Sequence, residues 1–440
     1  MAADAVLRAL AGACPATRPA EARDAVAGVA PRYAASPASV AEASAVMRVA
    51  AEQALTVVPR GSGSRLDWGA PPRRCDLVVD TSRLDQVVEH AAGDLVARVQ
   101  AGVRLAQLGE LLAGTGQQLA LDTGPGGNGQ RPAGTIGGTL ATGMAGPRRL
   151  RYGTPRDLVI GITVVRADGT VASSGGKVVK NVAGYDLGKL FAGSYGTLGL
   201  IVEAVFRLHP LPAAASYTTL DTAGPGPARA AVAAAAGCEL APVAIEISRA
   251  ARDQPVRVGV LLEGDPDGVA ERAAALRQLL GDGAHSAGDA PDWWGRIEAP
   301  GGSGTLVRIV FWAAALPRVL AAIDATAAAV AADPQLAGSA ASGVLYAALP
   351  AGTDPATAAG FVTGLRAALA RGGAGARAAS APVPDSPPVL ASAVVLHAPP
   401  PVAGLVDLWG PVPGLSLMRA VKDQFDPGHR MAPGRFAGGI

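Results

Sequence analysis

Through most of its first half the chain alternates helical and extended hydrophobic patterns. Residues 39–53 place Val40, Ala43, Met47 and Ala50 at helical spacing, and Ser39 followed by Glu42 is a capping-box start. An apolar strand at 55–58 runs straight into Pro59-Arg60-Gly61-Ser62-Gly63-Ser64. Extended patterns recur at 77–80, 86–90 and 95–102, followed by a helix at 105–112 and a strand near 118–121. Residues 122–147 are dense in Gly and Pro. Beyond them the spacing predicts strands at 158–166 and 198–208, with a helix near 186–192 between them.

After Pro210 and Pro212 the texture changes. Ala-rich helical patterns at 269–281, 317–332 and 355–371 alternate with β-like runs at 257–264, 305–314, 342–350 and 389–398. That alternation predicts an α+β sandwich for the second half. A Pro-rich stretch at 382–388 precedes the last strand, and the C-terminal segment holds a short helix stopped at Asp426-Pro427. There is no internal repeat.

Composition then narrows the function. A length of 440 residues exceeds what one core organises and suggests two or three domains. With 49% hydrophobic and 17% charged residues, intrinsic disorder is excluded as the main state. A net charge of +2, with no basic run, argues against a nucleic-acid partner. Cys14, Cys75 and Cys238 are scattered, fit neither a disulfide framework nor a CxxC motif, and suit a reducing cytoplasm. The first twenty residues lack the basic start and apolar centre of a secretory signal. The uncharged stretch 335–353 is broken by Gly338, Gly343 and Pro350 and reads as strand and loop, so no transmembrane segment is expected.

The chemistry lies in the glycines. A GxGxxG match at Gly124–Gly129 is followed by Gln130-Arg131-Pro132 and does not open a helix, so it is set aside as a dinucleotide fingerprint. Gly176-Lys177 is followed by Val178, which excludes a Walker A loop. Arg60-Gly61-Ser62-Gly63-Ser64 is different: small residues let an anion approach successive main-chain N–H groups, and two hydroxyls add donors. An ordinary strand–turn is the alternative. Two further segments share this character, Gly134–Gly143 (GTIGGTLATG) and Gly193–Gly199 (GSYGTLG). Together they suit an elongated ligand whose diphosphate is gripped by main-chain amides of three turns.

In this order, PRGSGS, GTIGGTLATG and GSYGTLG resemble the FAD-binding domain of the vanillyl-alcohol oxidase / p-cresol methylhydroxylase (PCMH) type. The blocks Gly146–Arg149 (GPRR), Gly153–Asp157 (GTPRD) and Lys180–Asp186 (KNVAGYD) are similar to the FAD-binding subunits of bacterial glycolate oxidases. The resemblance is strong over 35–212, moderate in the tail from Met418, and elsewhere rests on length and topology. It implies an α+β fold: a two-subdomain PCMH-type FAD-binding domain (1–212), an α+β antiparallel-sheet cap (213–408) and a tail (409–440) returning to the first domain. It implies FAD as the cofactor, with Arg60, Gly61, Ser62, Gly63 and Ser64 at the pyrophosphate. Thr135, Ile136, Gly137, Gly138, Thr139, Thr142 and Gly143 would touch the diphosphate and ribityl region. Gly196 and Gly199 would line the cofactor, with Ile201 near the adenine. Neither flavin loop contains His or Cys, so the flavin is expected to be non-covalent, with Cys75 the residual alternative.

Side chains for substrate chemistry are sparse. His90, His209, His285, His397 and His429 show no ligand spacing, so each is read as structural or solvent-facing and no metal site is expected. Lys180, Asn181, Tyr185 and Asp186 are read equally as flavin neighbours or as a helix cap with surface charges. Trp293, Trp294 and Trp409 are read as core, with a partner surface as the alternative. In the tail, Ala432 precedes Pro433-Gly434 where relatives usually carry Asn, which removes an amide from that position.

The resemblance therefore implies an FAD-binding subunit of a glycolate oxidase complex acting on a small 2-hydroxy acid. Its partners would be a homologous catalytic FAD subunit and an iron–sulfur subunit, because three scattered cysteines cannot hold a cluster here. Catalytic residues are left unassigned. The alternatives are a self-sufficient FAD-dependent 2-hydroxy-acid dehydrogenase and a redox-silent scaffold. A cytoplasmic location is expected, with membrane association through partners left open.

Overall fold

Three large sheets and one two-stranded pair are found among the described residues. The computed structural model describes residues 2–122, 134–177, 186–296, 304–372 and 391–440. Strands β1 (Thr17–Pro19), β2 (Tyr33–Ala35), β3 (Val57–Arg60) and β4 (Leu77–Asp80) form the first sheet in the order β1-β2-β4-β3. β4 pairs in parallel with both β2 and β3. Parallel strands need crossover connections, and helix Val40–Glu52 lies on the path from β2 to β3. The Ser39 side chain accepts from the Glu42 N–H, while the Glu42 carboxylate accepts from Ala38 N–H at 2.9 Å. Ala43, Val46, Met47 and Ala50 form the buried stripe of this helix. An N-terminal helix, Ala2–Ala13, went unforeseen in the pattern; its Leu10 enters the same core.

The second sheet combines β5 (Val87–Ala91), β6 (Val96–Gln100), β8 (Val159–Val165), β9 (Val171–Gly175) and β10 (Leu200–Arg207), in the antiparallel order β5-β6-β10-β8-β9. Helices Leu105–Ala113 and Ile136–Thr142 cover it, packing Leu108, Leu112, Ile136 and Leu140 against Val99, Ile162, Ala204 and Phe206. Val165, Leu200 and Val202 leave this core for that of the first sheet, which joins the two. The strand expected near 118–121 is only two residues long, β7 (Gln117–Gln118). It pairs with β11 (His209–Pro210), where the chain leaves for the third sheet.

That sheet has eight strands: β12 (Ala214–Thr222), β13 (Ala244–Arg249), β14 (Val256–Gly264), β15 (His285–Ala287), β16 (Thr305–Phe311), β17 (Gln335–Ser339), β18 (Val344–Leu349) and β19 (Ala391–His397). Every pairing is antiparallel, in the order β15-β12-β14-β13-β17-β18-β16-β19. Side chains alternate between faces. Val256, Val258, Val260 and Leu262 of β14 join the core shared with helices Pro225–Gly237, Pro266–Leu280, Leu316–Ala329 and Pro355–Gly372. From the other set, Leu306, Val344, Tyr346, Ala348 and Leu396 pack on Trp68, Met144, Tyr195 and Trp409. At about 25 cal/mol per Å² of apolar surface, such burial is the main favourable contribution to folding.

After helix Leu415–Phe425 the chain returns to the first sheet. Val57 donates its N–H to Arg430 O and accepts from Ala432 N–H, both at 2.8 Å. Among the described residues no helix is long and apolar enough to cross a membrane.

Candidate functional site

A cleft open to solvent lies where these elements meet. Arg60 to Leu66, Gly134 to Thr142, Tyr195 to Ile201 and Arg435 contribute to its wall. Contacts that only glycine permits hold the segments together. A Cβ on Gly61 would lie 2.2 Å from Thr135 Oγ1, and one on Gly196 would lie 3.2 Å from the Pro59 ring. Gly63 and Gly196 also adopt φ of +75° and +76°, which a side chain would oppose. Tyr195 N–H donates to Ala141 O at 2.8 Å, tying the third segment to the second.

All the expected site residues line this cleft except Ile136, Thr139 and Gly143. Ile136 is fully buried in the core of the second sheet. Thr139 is buried, with a hydroxyl that has no partner among the described residues. Gly143 faces a neighbouring cavity of about 570 Å³, which shares Thr142 and Tyr195 with the cleft.

One expectation needs correction. The GTIGGTLATG segment is not an open turn: Ile136–Thr142 is helical, with Thr135 as its N-cap. Its amides are largely consumed inside the protein. Ile136 N–H donates to Val103 O at 3.0 Å, Gly137 N–H to Ala101 O at 2.8 Å, and Gly138 N–H to Thr135 Oγ1 at 3.3 Å. Glycine serves close packing here, since a Cβ on Gly137 would come within 2.8 Å of the Ala101 methyl. The first turn is open. Among the described residues none accepts from the N–H groups of Gly61, Ser62, Gly63 or Ser64.

Arg60 lines the cleft beside this turn. Its guanidinium is spent on two carboxylates, Asp24 at 2.9 Å and Asp80 at 2.8 Å, so it braces the loop instead of offering a charge. Asp24 is fully buried, and the hydrogen bonds from Arg18, followed by the Glu21 amide and Arg60, hold its carboxyl well below the usual range against the cost of burial.

The side chains that spacing could not pick out sit at the cap end of the cleft. Arg435 is 3% exposed; its Nη2 donates to Leu66 O and Trp68 O at 2.8 and 2.7 Å, but its buried Nη1 has no partner among the described residues. Burial lowers this guanidinium to about 10, against the effect of Tyr195, so it stays charged at neutral pH. The Tyr195 hydroxyl is buried and likewise without a partner among the described residues, and φ is +55° at this residue. Its ring packs edge-on against Trp409 at 5.1 Å and beside Phe436 at 5.9 Å. Arg65 lines the same wall with its guanidinium 5.4 Å from the Trp68 ring. The signal available in the sequence was the position of Tyr195 inside a glycine-bearing segment.

Within the cap sheet, Glu246 of β13 is 3% exposed and accepts from Ser339 Oγ. Burial raises its carboxyl to about 8, with Ser339 and Arg149 opposing. It borders a small cavity shared with Arg149, Arg296 and Tyr346.

The histidines each have local company. His90 lies 2.9 Å from Gln117 Oε1, His285 2.8 Å from Thr219 Oγ1, His397 2.8 Å from Asp67 and His429 2.9 Å from Asp423. His209 packs on the Tyr152 ring. Cys75 is buried away from the cleft wall, and burial pushes its thiol up to about 12. Trp409 is buried, as expected for a core aromatic, whereas Trp293 and Trp294 are half-buried over Gly259. The GxGxxG stretch and Lys180, Asn181 and Tyr185 lie outside the described residues.

Comparison with known proteins now bears on this cleft. The FAD binding domain family matches residues 31–175, which include its first two segments. FAD is the cofactor of this family. A stretch of 192 residues is 36% identical to glycolate oxidase subunit GlcD of Bacillus subtilis (strain 168), covering 42% of this chain and 40% of that protein. D-lactate dehydrogenase of Archaeoglobus fulgidus is 38% identical over 174 residues, covering 40% of this chain and 38% of that protein. The matched stretch thus spans about two-fifths of each relative's length. The structure of an alkyldihydroxyacetonephosphate synthase superposes with a TM-score of 0.65 over 92% of this chain and 76% of that one, at 17% identity. That likeness concerns the fold: a PCMH-type FAD-binding domain with an antiparallel-sheet cap.

Proposed function

We propose that the chain holds FAD non-covalently in this cleft and serves the oxidation of a small 2-hydroxy acid as the FAD-binding subunit of a glycolate oxidase-type complex. The observation that carries the first part is the meeting of unsatisfied main-chain donors with an apolar wall. The free amides of Gly61–Ser64 suit a diphosphate, while Val58, Pro59, Leu66 and Ile201 suit flat rings. Gly61, Gly63 and Gly196 keep backbone where a ligand must come close, and Arg60 holds the first turn through Asp24 and Asp80. Thr142 and Gly138 add a second wall through shape more than through donors. Bound FAD would accept a hydride from the hydroxyl-bearing carbon of the substrate.

The substrate class rests on the relatives' names, which include a glycolate oxidase subunit, a D-lactate dehydrogenase and a D-2-hydroxyglutarate dehydrogenase. The reading as a subunit beside a homologous catalytic flavoprotein and an iron–sulfur protein rests on the first of these. It agrees with a cap whose two histidines, His285 and His397, lie beside Thr219 and Asp67.

The test is direct. The full chain, purified and mixed with FAD, should retain one flavin per chain and release it on acid precipitation. With glycolate or D-lactate, bleaching of the flavin should require the partner subunits. Bleaching of the chain alone would replace the subunit reading with a self-sufficient dehydrogenase, and failure to retain any flavin would leave a scaffold.

A further inference from the structure

The cleft wall divides chemically. One part, Gly61 to Ser64, offers amides and hydroxyls; the other, Arg435 and Tyr195, offers a buried cation and a buried hydroxyl with unspent donors. Buried polar atoms are rarely left unpaired, and each such case calls for a partner that the described residues do not supply. Two in one wall, both almost wholly buried, point to a ligand atom group rich in acceptors.

Which part of the ligand meets them follows from the surroundings. Tyr195 and Trp409 belong to the same packed cluster as Leu306, Val344, Tyr346 and Leu396 of the cap. The adjoining cavity of about 570 Å³ shares Tyr195 with the cleft and is bounded by Arg308, Trp409 and Phe436. The Ser62–Ser64 side shares no residue with that space. A ring that takes a hydride must face room for the donor, and that room adjoins Tyr195.

We propose that Arg435 and Tyr195 meet the electron-accepting ring of bound FAD, so that the C-terminal tail raises the reduction potential of the cofactor. This rests on the FAD reading of the cleft. A hydride from the hydroxy acid, two electrons and one proton, would leave a bound ring with one more negative charge, the hydroxyl proton departing separately. A fixed cation in a low-dielectric wall stabilises the reduced form more than the oxidised one. The tail supplies this charge from a residue far from the glycine segments in sequence. Trp409 Nε1 and the Ala70 amide both donate to the Arg435 carbonyl, at 3.1 and 3.2 Å, and hold the residue in place.

The experiment is a spectroelectrochemical titration of the flavin-loaded full chain, with FAD stoichiometry measured in parallel. Arg435→Met should keep FAD yet shift the two-electron midpoint to a more negative value by at least a tenfold change in the equilibrium, about 30 mV. Arg435→Lys should restore most of the shift, which a merely structural role would not produce. Should Arg435→Met lose its flavin, Tyr195→Phe carries the test, with a smaller shift in the same direction expected. Unchanged potentials in variants that retain FAD would overturn the proposal. So would weaker FAD affinity with no potential shift, the outcome expected if Arg435 served the diphosphate. A wild-type chain that binds no FAD would instead overturn the reading of the cleft itself.

Discussion

Gly61 decides whether the cleft can form, because its Cα hydrogen faces Thr135 where any Cβ would collide at 2.2 Å. Gly61→Val should leave the chain folded but abolish flavin retention, read as the ratio of flavin to protein absorbance after gel filtration. Asp24 acts from beneath the same loop. Its folded pKa is lowered, so its contribution is complete above the ordinary carboxylate pKa of about 3.9 and fades as the pH falls below that value. Asp24→Asn should therefore cost about 3 kcal/mol at pH 7 in urea unfolding, with the gap to wild type narrowing in acid. Spacing alone exposed the need for Gly61 and Gly63. It could not show that Arg60 is spent, because its partners lie 36 and 20 residues away. Nor could it show Arg435, since burial of an arginine depends on what folds over it.

At the level of elements, period and length located most strands and helices to within a few residues. One miss is informative. Residues 136–142 read as a loop because Gly137 and Gly138 are poor helix formers, and the helix exists through its contacts. Ile136 and Gly137 bond to the carbonyls of Val103 and Ala101 just beyond β6, an arrangement invisible to local propensity. Gly137→Val should push the helix off these carbonyls and lower both thermal stability and flavin affinity, measurable together in a melt with and without FAD. On β13 the element sets a pH dependence of the opposite sign to that of Asp24. Glu246 keeps its proton in the folded chain up to about 8, whereas the unfolded chain gives it up near the ordinary value. Stability should therefore fall as pH rises across that window, by up to about 1.4 kcal/mol per unit. Glu246→Gln should flatten this slope in unfolding curves taken between pH 5 and 8.

Across the whole molecule the tail is the link between sheets and cleft. Lys422 is buried and donates from one ammonium to Asp426 at 2.7 Å, Thr197 O at 2.7 Å and Met431 O at 2.9 Å. It thus ties the turn at 193–199 to the returning chain. Lys422→Met would strand a buried carboxylate, costing about 3–5 kcal/mol, and should weaken FAD binding with it. The change of texture after Pro212 was readable, and so was an α+β second half. The order of eight strands was not, because antiparallel register is settled by contacts between segments distant in the chain. The account turns on one property, a cleft whose first glycine turn holds open amides for the cofactor's phosphates. Isothermal titration of the flavin-free full chain with FAD, beside riboflavin, tests it most directly. The account predicts saturable one-to-one binding of FAD, much weaker binding of riboflavin, and loss of the FAD signal in Gly61→Val. Equal affinity for the two ligands, or undiminished FAD binding by Gly61→Val, would contradict it.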